Sequence, residues 1–278
     1  MKKNVFLLLV IFIAAAAVFL NAVDSVYHNK FLKNAEEMIS LSGVQDDAVI
    51  NEKDLKGLPD NVARYLKYAG VVGKKKISYA RLYHSGSFRP DGGAKWVPIK
   101  GEYVYTTKRP GFIWYGKLNM LHIFSVTATD TYFMGKGSME IKALSFFTVG
   151  KATGKETDIS SFGRFISEMP MLPTALMDKK TTMWQKIDFE TSRAIVSDGD
   201  MGWSADFTFT PEGPIEKVEV KRFMNTKEGP KLEKFTGKFK DWQNYDGYML
   251  PSSMEGAWDI EKGPYEYVKF KVDKIIFD

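Results

Sequence analysis

The stretch Phe162-Gly163-Arg164-Phe165-Ile166-Ser167-Glu168-Met169-Pro170-Met171-Leu172-Pro173-Thr174-Ala175-Leu176-Met177 is where the fold is decided. Phe162, Phe165, Ile166 and Met169 fall at i, i+3, i+4 and i+7, one apolar stripe of helical period. Arg164 and Glu168 stand off that stripe, four residues apart, where they can pair. Asp158 or Ser160 can cap the start, Pro170 ends the first segment, and Pro173 can open a short second turn through Leu176. The helical insertion is therefore expected over 159–177. It is the one good amphipathic helix pattern after about residue 75. The chain on either side reads as strand, so this helix needs a sheet to lie on.

From Ile77 onward the apolar period is two. Val97, Ile99, Tyr103 and Tyr105 alternate with Pro98, Lys100, Glu102 and Val104. Strands are expected next at 112–118, 123–127, 131–134 and 138–145, and beyond the helix at 182–189 and 193–197. The cleanest follows, with Trp203, Ala205, Phe207 and Phe209 on one side and Ser204, Asp206, Thr208 and Thr210 on the other. Pro211-Glu212-Gly213-Pro214 turns the chain into 215–223, and Asn244-Tyr245-Asp246-Gly247 carries an Asp-Gly hairpin signal between 232–242 and Met249. Strands over 253–260 and 265–277 finish the chain. About eleven strands joined by tight turns exclude a doubly wound parallel sheet. They predict a mainly β fold: one large curved antiparallel sheet, a half-barrel, with a central helical insertion and N-terminal helices.

Lys2 and Lys3 precede an apolar run from Val5 to Leu20, extendable to Val23 across Asn21. It is a signal peptide or a membrane anchor. The run is long for a signal, and Leu20-Asn21-Ala22 is a poor cleavage site, so residues 1–23 are read as an uncleaved anchor in the cytoplasmic membrane. The lysines then stay inside and the remainder lies outside the cytoplasm. Residues 24–57 are expected as a helical stalk and linker, with Val26, Phe31, Leu32, Ala35, Met38 and Ile39 as a rough stripe and Gly43 as the stop. Leu58-Pro59-Asp60-Asn61 opens a short helix with a face of Val62, Tyr65, Leu66 and Ala69, closed by Gly70. Residues 58–278 form a single β-rich domain.

The chain has 278 residues, 44% of them apolar and 14% aromatic, the content of a folded protein with a large core. It has no cysteine, which excludes disulfides, thiolate metal sites and a cysteine nucleophile. Net charge is +5, too small an excess to argue for nucleic acid, although 217–240 is locally basic.

Among the polar constellations, Gly150-Lys151-Ala152-Thr153-Gly154-Lys155-Glu156 has three residues between its glycines where a phosphate loop needs four, and Glu follows the lysine where Ser or Thr is required. No nucleotide or other cofactor is expected. His28, His84 and His122 lie far apart without ligand spacing, so no metal is expected. Asp198-Gly199-Asp200 reads as a turn. Arg164 with Glu168 is either a helix-surface ion pair, which contributes little, or a pair reaching under the helix toward the sheet. The six tryptophans fill core between helix and sheet, or in part line a lipid-accepting cavity.

A resemblance rests on Leu58-Pro59, Arg64-Tyr65-Leu66, Gly70-Val71, Trp96 and Asp130-x-Tyr132-x-x-Gly135-x-Gly137-x-Met139. It continues through Arg164-x-x-x-Glu168, Pro173-Thr174-Ala175-Leu176, Trp184, Asp188, Arg222, Pro251 and Trp258. From about Leu58 to Phe277 these residues resemble a widespread bacterial membrane-anchored family of unknown function. The chain departs from that pattern at Met171, where a tryptophan is expected. The strand–helix–strand order is also similar in architecture to the half-barrel of periplasmic lipoprotein carriers, a likeness that implies fold and not activity.

These readings lead to an anchored, extracytoplasmic half-barrel that binds a lipid-like ligand or an envelope partner, of undetermined oligomeric state. Arg164, Phe165, Glu168, Met169, Trp184 and Trp258 are the candidate cavity or rim residues. The alternatives are a hydrolase using Glu168 with Asp130 or Asp188, and a structural envelope protein with a filled core.

Overall fold

Period-two alternation carries most of the chain into one antiparallel sheet of thirteen strands. The structure, a computed structural model, describes residues 2–90, 93–121 and 124–278. His122, and the expected strand start at Ile123, lie outside the described residues. Before the helical insertion come β1 (Tyr79–Phe88), β2 (Val97–Thr106), β3 (Gly111–Leu121), β4 (Phe124–Phe133), β5 (Lys136–Ala143) and β6 (Phe147–Thr153). After it come β7 (Thr182–Lys186), β8 (Thr191–Asp198), β9 (Met201–Phe209), β10 (Ile215–Thr226), β11 (Gly229–Tyr245), β12 (Tyr248–Ile260) and β13 (Gly263–Phe277). The order across the sheet is β6-β5-β4-β3-β2-β1-β13-β12-β11-β10-β9-β8-β7, so two meanders are joined where β1 pairs with β13. Its edges are the strands that flank the insertion.

Two strands differ from the expectation, and each has a reason. The segments expected at 123–127 and 131–134 are one strand, β4, because Ala128, Thr129 and Asp130 pair on both sides without a break. Residues 147–153, not among the expected strands, form edge strand β6. An edge strand with one face in solvent loses the clean alternation on which the reading depended.

The insertion is α3 (Lys155–Glu168) followed by 3₁₀ turns at Met169–Met171 and Pro173–Met177. Pro170 and Pro173 end and reopen the helical path as expected. The start differs: Gly154, with φ 106°, sits at the N-cap position without a side-chain hydrogen bond. Asp158 is occupied elsewhere, accepting Gly137 N–H at 2.8 Å and the Lys136 ammonium at 3.1 Å. Phe162, Phe165, Ile166 and Met169 are all buried against the concave side of the sheet.

α2 (Asp60–Tyr68) buries Val62, Tyr65, Leu66 and Ala69 completely, the expected face, in the same core. The β11–β12 turn has positive φ at Asp246 (50°) and Gly247 (81°), the geometry that matches a hairpin's twist. On β9, Ala205, Phe207 and Phe209 are buried and Trp203 packs against the core.

α1 (Lys2–Ser42) is unbroken for 41 residues. Its second half is no free stalk. Tyr27, Phe31, Ala35 and Met38 pack on Val104, Ile113 and Tyr115, the convex face of β2 and β3. The neighbours on those strands (Tyr103, Tyr105, Phe112 and Trp114) point to the concave side and the main core. This segment of sheet is therefore covered on both faces. The inward edge of the α1 stripe is Tyr27 rather than Val26, which is 69% exposed, because Tyr27 reaches Thr129 (2.9 Å) and Glu140 (3.3 Å). Burial of each large apolar side chain on this face contributes on the order of 1.5–3 kcal/mol, enough to hold the helix down.

Candidate functional site

α3 can lie directly on β10 because Gly163 has no side chain. A Cβ there would stand 2.9 Å from Arg222 Cγ and 3.4 Å from the Lys221 carbonyl oxygen. That close approach places two arginines, Arg164 on the helix and Arg222 on the strand, in the concave interior.

Arg164 is fully engaged. Its Nε donates to Glu168 Oε1 at 3.0 Å, Nη1 donates to Asp130 Oδ2, and Nη2 donates to the Tyr103 hydroxyl oxygen. Tyr103 and Tyr105, stacked with ring centroids 4.9 Å apart, donate to the two Glu168 oxygens at 3.0 and 2.9 Å. The guanidinium also lies over Trp114 at 4.9 Å and Phe112 at 5.1 Å. Side-chain exposure is only 12–15% across Arg164, Asp130 and Glu168, so this is the pair reaching under the helix and not a surface bridge. Burial opposes the Arg164 charge, but Tyr103, Glu168 and Asp130 outweigh it and raise its pKa well above the usual range. Burial, first of all, holds the two phenols protonated.

Next to this network His84 is buried, and its Nε2 accepts Trp114 Nε1–H at 2.9 Å, which requires a neutral imidazole. Burial and the Arg164 charge pull its pKa down to about 3.

Arg222 is different. It is 9% exposed, its Nε donates to the Ser160 carbonyl at 3.0 Å, and its guanidinium lies between Phe235 (4.8 Å) and Trp258 (5.4 Å). Among the described residues no carboxylate stands within ion-pair distance of it, and its two terminal nitrogens have no hydrogen-bond acceptor. Burial, then the Arg164 charge, pull its pKa down to about 10, so it remains a cation at neutral pH. One step along the same faces, Met224 and Ile260 keep partial exposure beside the core, as does Tyr267, whose ring meets Trp258 edge-on at 6.3 Å.

The sequence candidates thus fall into three groups. Arg164 is itself one of the two interior cations, Glu168 is bonded to it, and Trp258 lies against the other, Arg222. Phe165 and Met169 are wholly buried in the helix–sheet core. Trp184 belongs to another contact set: its Nε1 donates to the Leu176 carbonyl at 2.7 Å and its ring meets Phe207 at 5.2 Å, pinning the second 3₁₀ turn. Of the carboxylates weighed for hydrolysis, two converge and one stands apart. Asp130 and Glu168 share one guanidinium, while Asp188 accepts Glu190 and Thr191 N–H in a surface turn. Arg222 is not among the sequence candidates. Its signal was present all the same, as a charged residue continuing the inward run Val218, Val220 on β10.

Residues 48–270 match a family of unknown function, DUF6544. In overall shape the chain is similar to a domain from Vibrio parahaemolyticus provisionally named an outer membrane lipoprotein-sorting protein, at 11% identity and TM-score 0.41, covering 82% of this chain and 93% of that one. It is similar to a DUF1329 family protein from Desulfovibrio piger at 9% identity and TM-score 0.40, covering 84% and 94%. It is also similar to a LolA superfamily protein from Nitrosomonas europaea at 9% identity and TM-score 0.36, covering 82% and 94%. No protein of curated function matches its sequence.

Proposed function

The chain belongs to DUF6544, a family of unknown function, and we propose that it is a membrane-anchored, extracytoplasmic half-barrel that binds an amphiphile with an anionic head group. The observation that carries this reading is Arg222. A buried cation with no carboxylate in direct contact is costly, and Asp130 and Glu168, already bonded to Arg164, offset the Arg222 charge only from a distance. Here the guanidinium is flanked by two aromatic rings and followed by partly exposed apolar side chains. A carboxylate or phosphate meets the two terminal nitrogens in the planar fork that arginine presents. The acyl part then lies along Met224, Ile260 and Tyr267. Arg164 has no nitrogen to spare and acts as the fixed floor of the site.

Anchoring is supported by α1, the one helix among the described residues that is long and apolar enough to cross a membrane. A second reading, a structural envelope protein with a filled core, is favoured by the complete burial of Phe162, Phe165 and Ile166.

The full chain, purified in detergent, separates the two. Binding of a fluorescent fatty acid is measured to wild type, Arg222→Lys and Arg222→Met, with circular dichroism as the folding control. Ligand binding at Arg222 predicts at least a tenfold weaker affinity in Arg222→Met, partial recovery in Arg222→Lys, and little change for a neutral monoacylglycerol. Equal affinity in all three proteins, or none at all, leaves the structural reading.

A further inference from the structure

A second surface feature stands apart from the interior site. The turn between β5 and β6 carries Phe146 and Phe147 side by side, ring centroids 4.9 Å apart, with 55% and 60% of their surfaces exposed. Val149, on the same face of edge strand β6 as Phe147, is 63% exposed. Three large apolar side chains in solvent on one hairpin are not explained by packing, since none of them is buried against the core. Their neighbour is the informative residue. Ser145 Oγ donates to Asp24 Oδ1 at 2.7 Å, and Asp24 also receives the Tyr115 hydroxyl at 3.2 Å and the Lys117 ammonium at 2.5 Å. Asp24 is the first charged residue after the apolar run of α1, all of whose described side chains from Val5 to Phe19 are exposed or nearly so.

Residues 5–23 rise about 28 Å as a helix, which matches a hydrocarbon core of about 30 Å. If α1 spans the bilayer, Asp24 lies at its surface, and the turn bonded to Asp24 lies there too. We infer that Phe146 and Phe147 insert into the lipid interface beside the anchor, making the β5–β6 turn a second membrane contact that fixes the orientation of the half-barrel. This rests on the anchored reading given above, and not on ligand binding. The occupant is a bilayer because the patch is tied through Ser145 and Asp24 to the end of the apolar helix, and because aromatic side chains suit the boundary between head groups and acyl chains. Because α1 is packed on β2 and β3, the domain follows the helix, and a second contact fixes the tilt of both relative to the bilayer.

The absence of native cysteine allows single spin labels in the full chain. Phe12→Cys, Phe147→Cys and Phe189→Cys are labelled separately and reconstituted in nanodiscs of phosphatidylethanolamine and phosphatidylglycerol. Phe189 is a similarly exposed phenylalanine beside α2, with Arg64 over its ring at 5.6 Å. The oxygen-to-nickel accessibility ratio at Phe147→Cys is expected several-fold above that at Phe189→Cys and near that at Phe12→Cys. A ratio at Phe147→Cys equal to that at Phe189→Cys, with Phe12→Cys in lipid, overturns the turn contact and leaves the anchor. An aqueous Phe12→Cys overturns both. Spin–spin broadening confined to Phe147→Cys would assign the aromatic pair to contact between copies through edge strand β6, and would also overturn the inference.

Discussion

The Tyr132 hydroxyl donates to Asp198 Oδ2 at 2.8 Å, although β4 and β8 stand near opposite edges of the sheet. Gly135 N–H donates to the same oxygen at 3.1 Å. A thirteen-stranded sheet brings such strands together only by curling, and α3 fills the enclosed space, with Phe162 stacked on Tyr132 at 4.9 Å. The contact is a seam that keeps the half-barrel curled without closing it through strand pairing. Tyr132→Phe removes one bond while keeping the ring, and should lower stability by about 1–2 kcal/mol. The urea midpoint of the detergent-purified chain measures this. An unchanged midpoint would mean that the seam does not bear on stability.

Arg164→Met strands Asp130 and Glu168 in the interior and is expected to cost about 3–5 kcal/mol. The comparison is Arg193, whose two bonds to Asp206 (2.6 and 2.8 Å) lie on the outer surface. Arg193→Ala should cost less than about 1 kcal/mol. Adding Asp130→Asn and Glu168→Gln to Arg164→Met should recover part of the loss, since the uncompensated charges are then gone. Equal losses from the two arginine variants would show that the interior network is solvated.

His84 makes stability depend on pH in a predictable direction. Its folded pKa, about 3, lies below the ordinary 6.5 of the unfolded chain. Between those values the unfolded state holds a proton that the folded state refuses, so stability falls as pH drops from about 6.5 toward 3. His84→Gln keeps an acceptor for Trp114 and cannot take up that proton. Between pH 7 and pH 5 the wild type should lose about 2 kcal/mol more than His84→Gln. Unfolding midpoints at the two pH values test this, and parallel losses would place the proton elsewhere.

On β9, Phe207→Ala should cost about 3–5 kcal/mol, while Thr208→Ala on the other face should cost little. Phe207 is fully buried and meets Trp184, whereas Thr208 is half-buried. Similar, small losses in denaturant at both positions would mean that the alternation does not mark a buried face.

Features set by residues close together in the chain were legible in the sequence. The stripe of Phe162, Phe165, Ile166 and Met169 places α3 on a sheet, and Pro170 and Pro173 break it where the helix ends. Val62, Tyr65, Leu66 and Ala69 mark α2, Asp246-Gly247 marks a hairpin, and the β9 alternation names its buried face. A period of 3.6 or 2, a proline without an N–H, and a glycine free to adopt positive φ are all local properties. They sufficed for a mainly β, curved antiparallel fold with one central helix. What stayed hidden depends on residues that meet only after the sheet curls. Asp158 looked like a helix cap until Gly137 N–H, 21 positions away, took its carboxylate. Strand β6 is not among the expected strands because its pairing with β5, and not its own pattern, makes it a strand. Tyr27, rather than Val26, turns inward because Thr129 and Glu140 lie across from it. Arg164 and Glu168 looked equally able to face water or protein, and the choice fell to Asp130, Tyr103 and Tyr105 on strands far from α3 in sequence. Arg222 carries the same lesson. Its type and position are plain in the chain, but whether a buried guanidinium is paired depends on which carboxylates the fold brings within reach, and no local pattern specifies that.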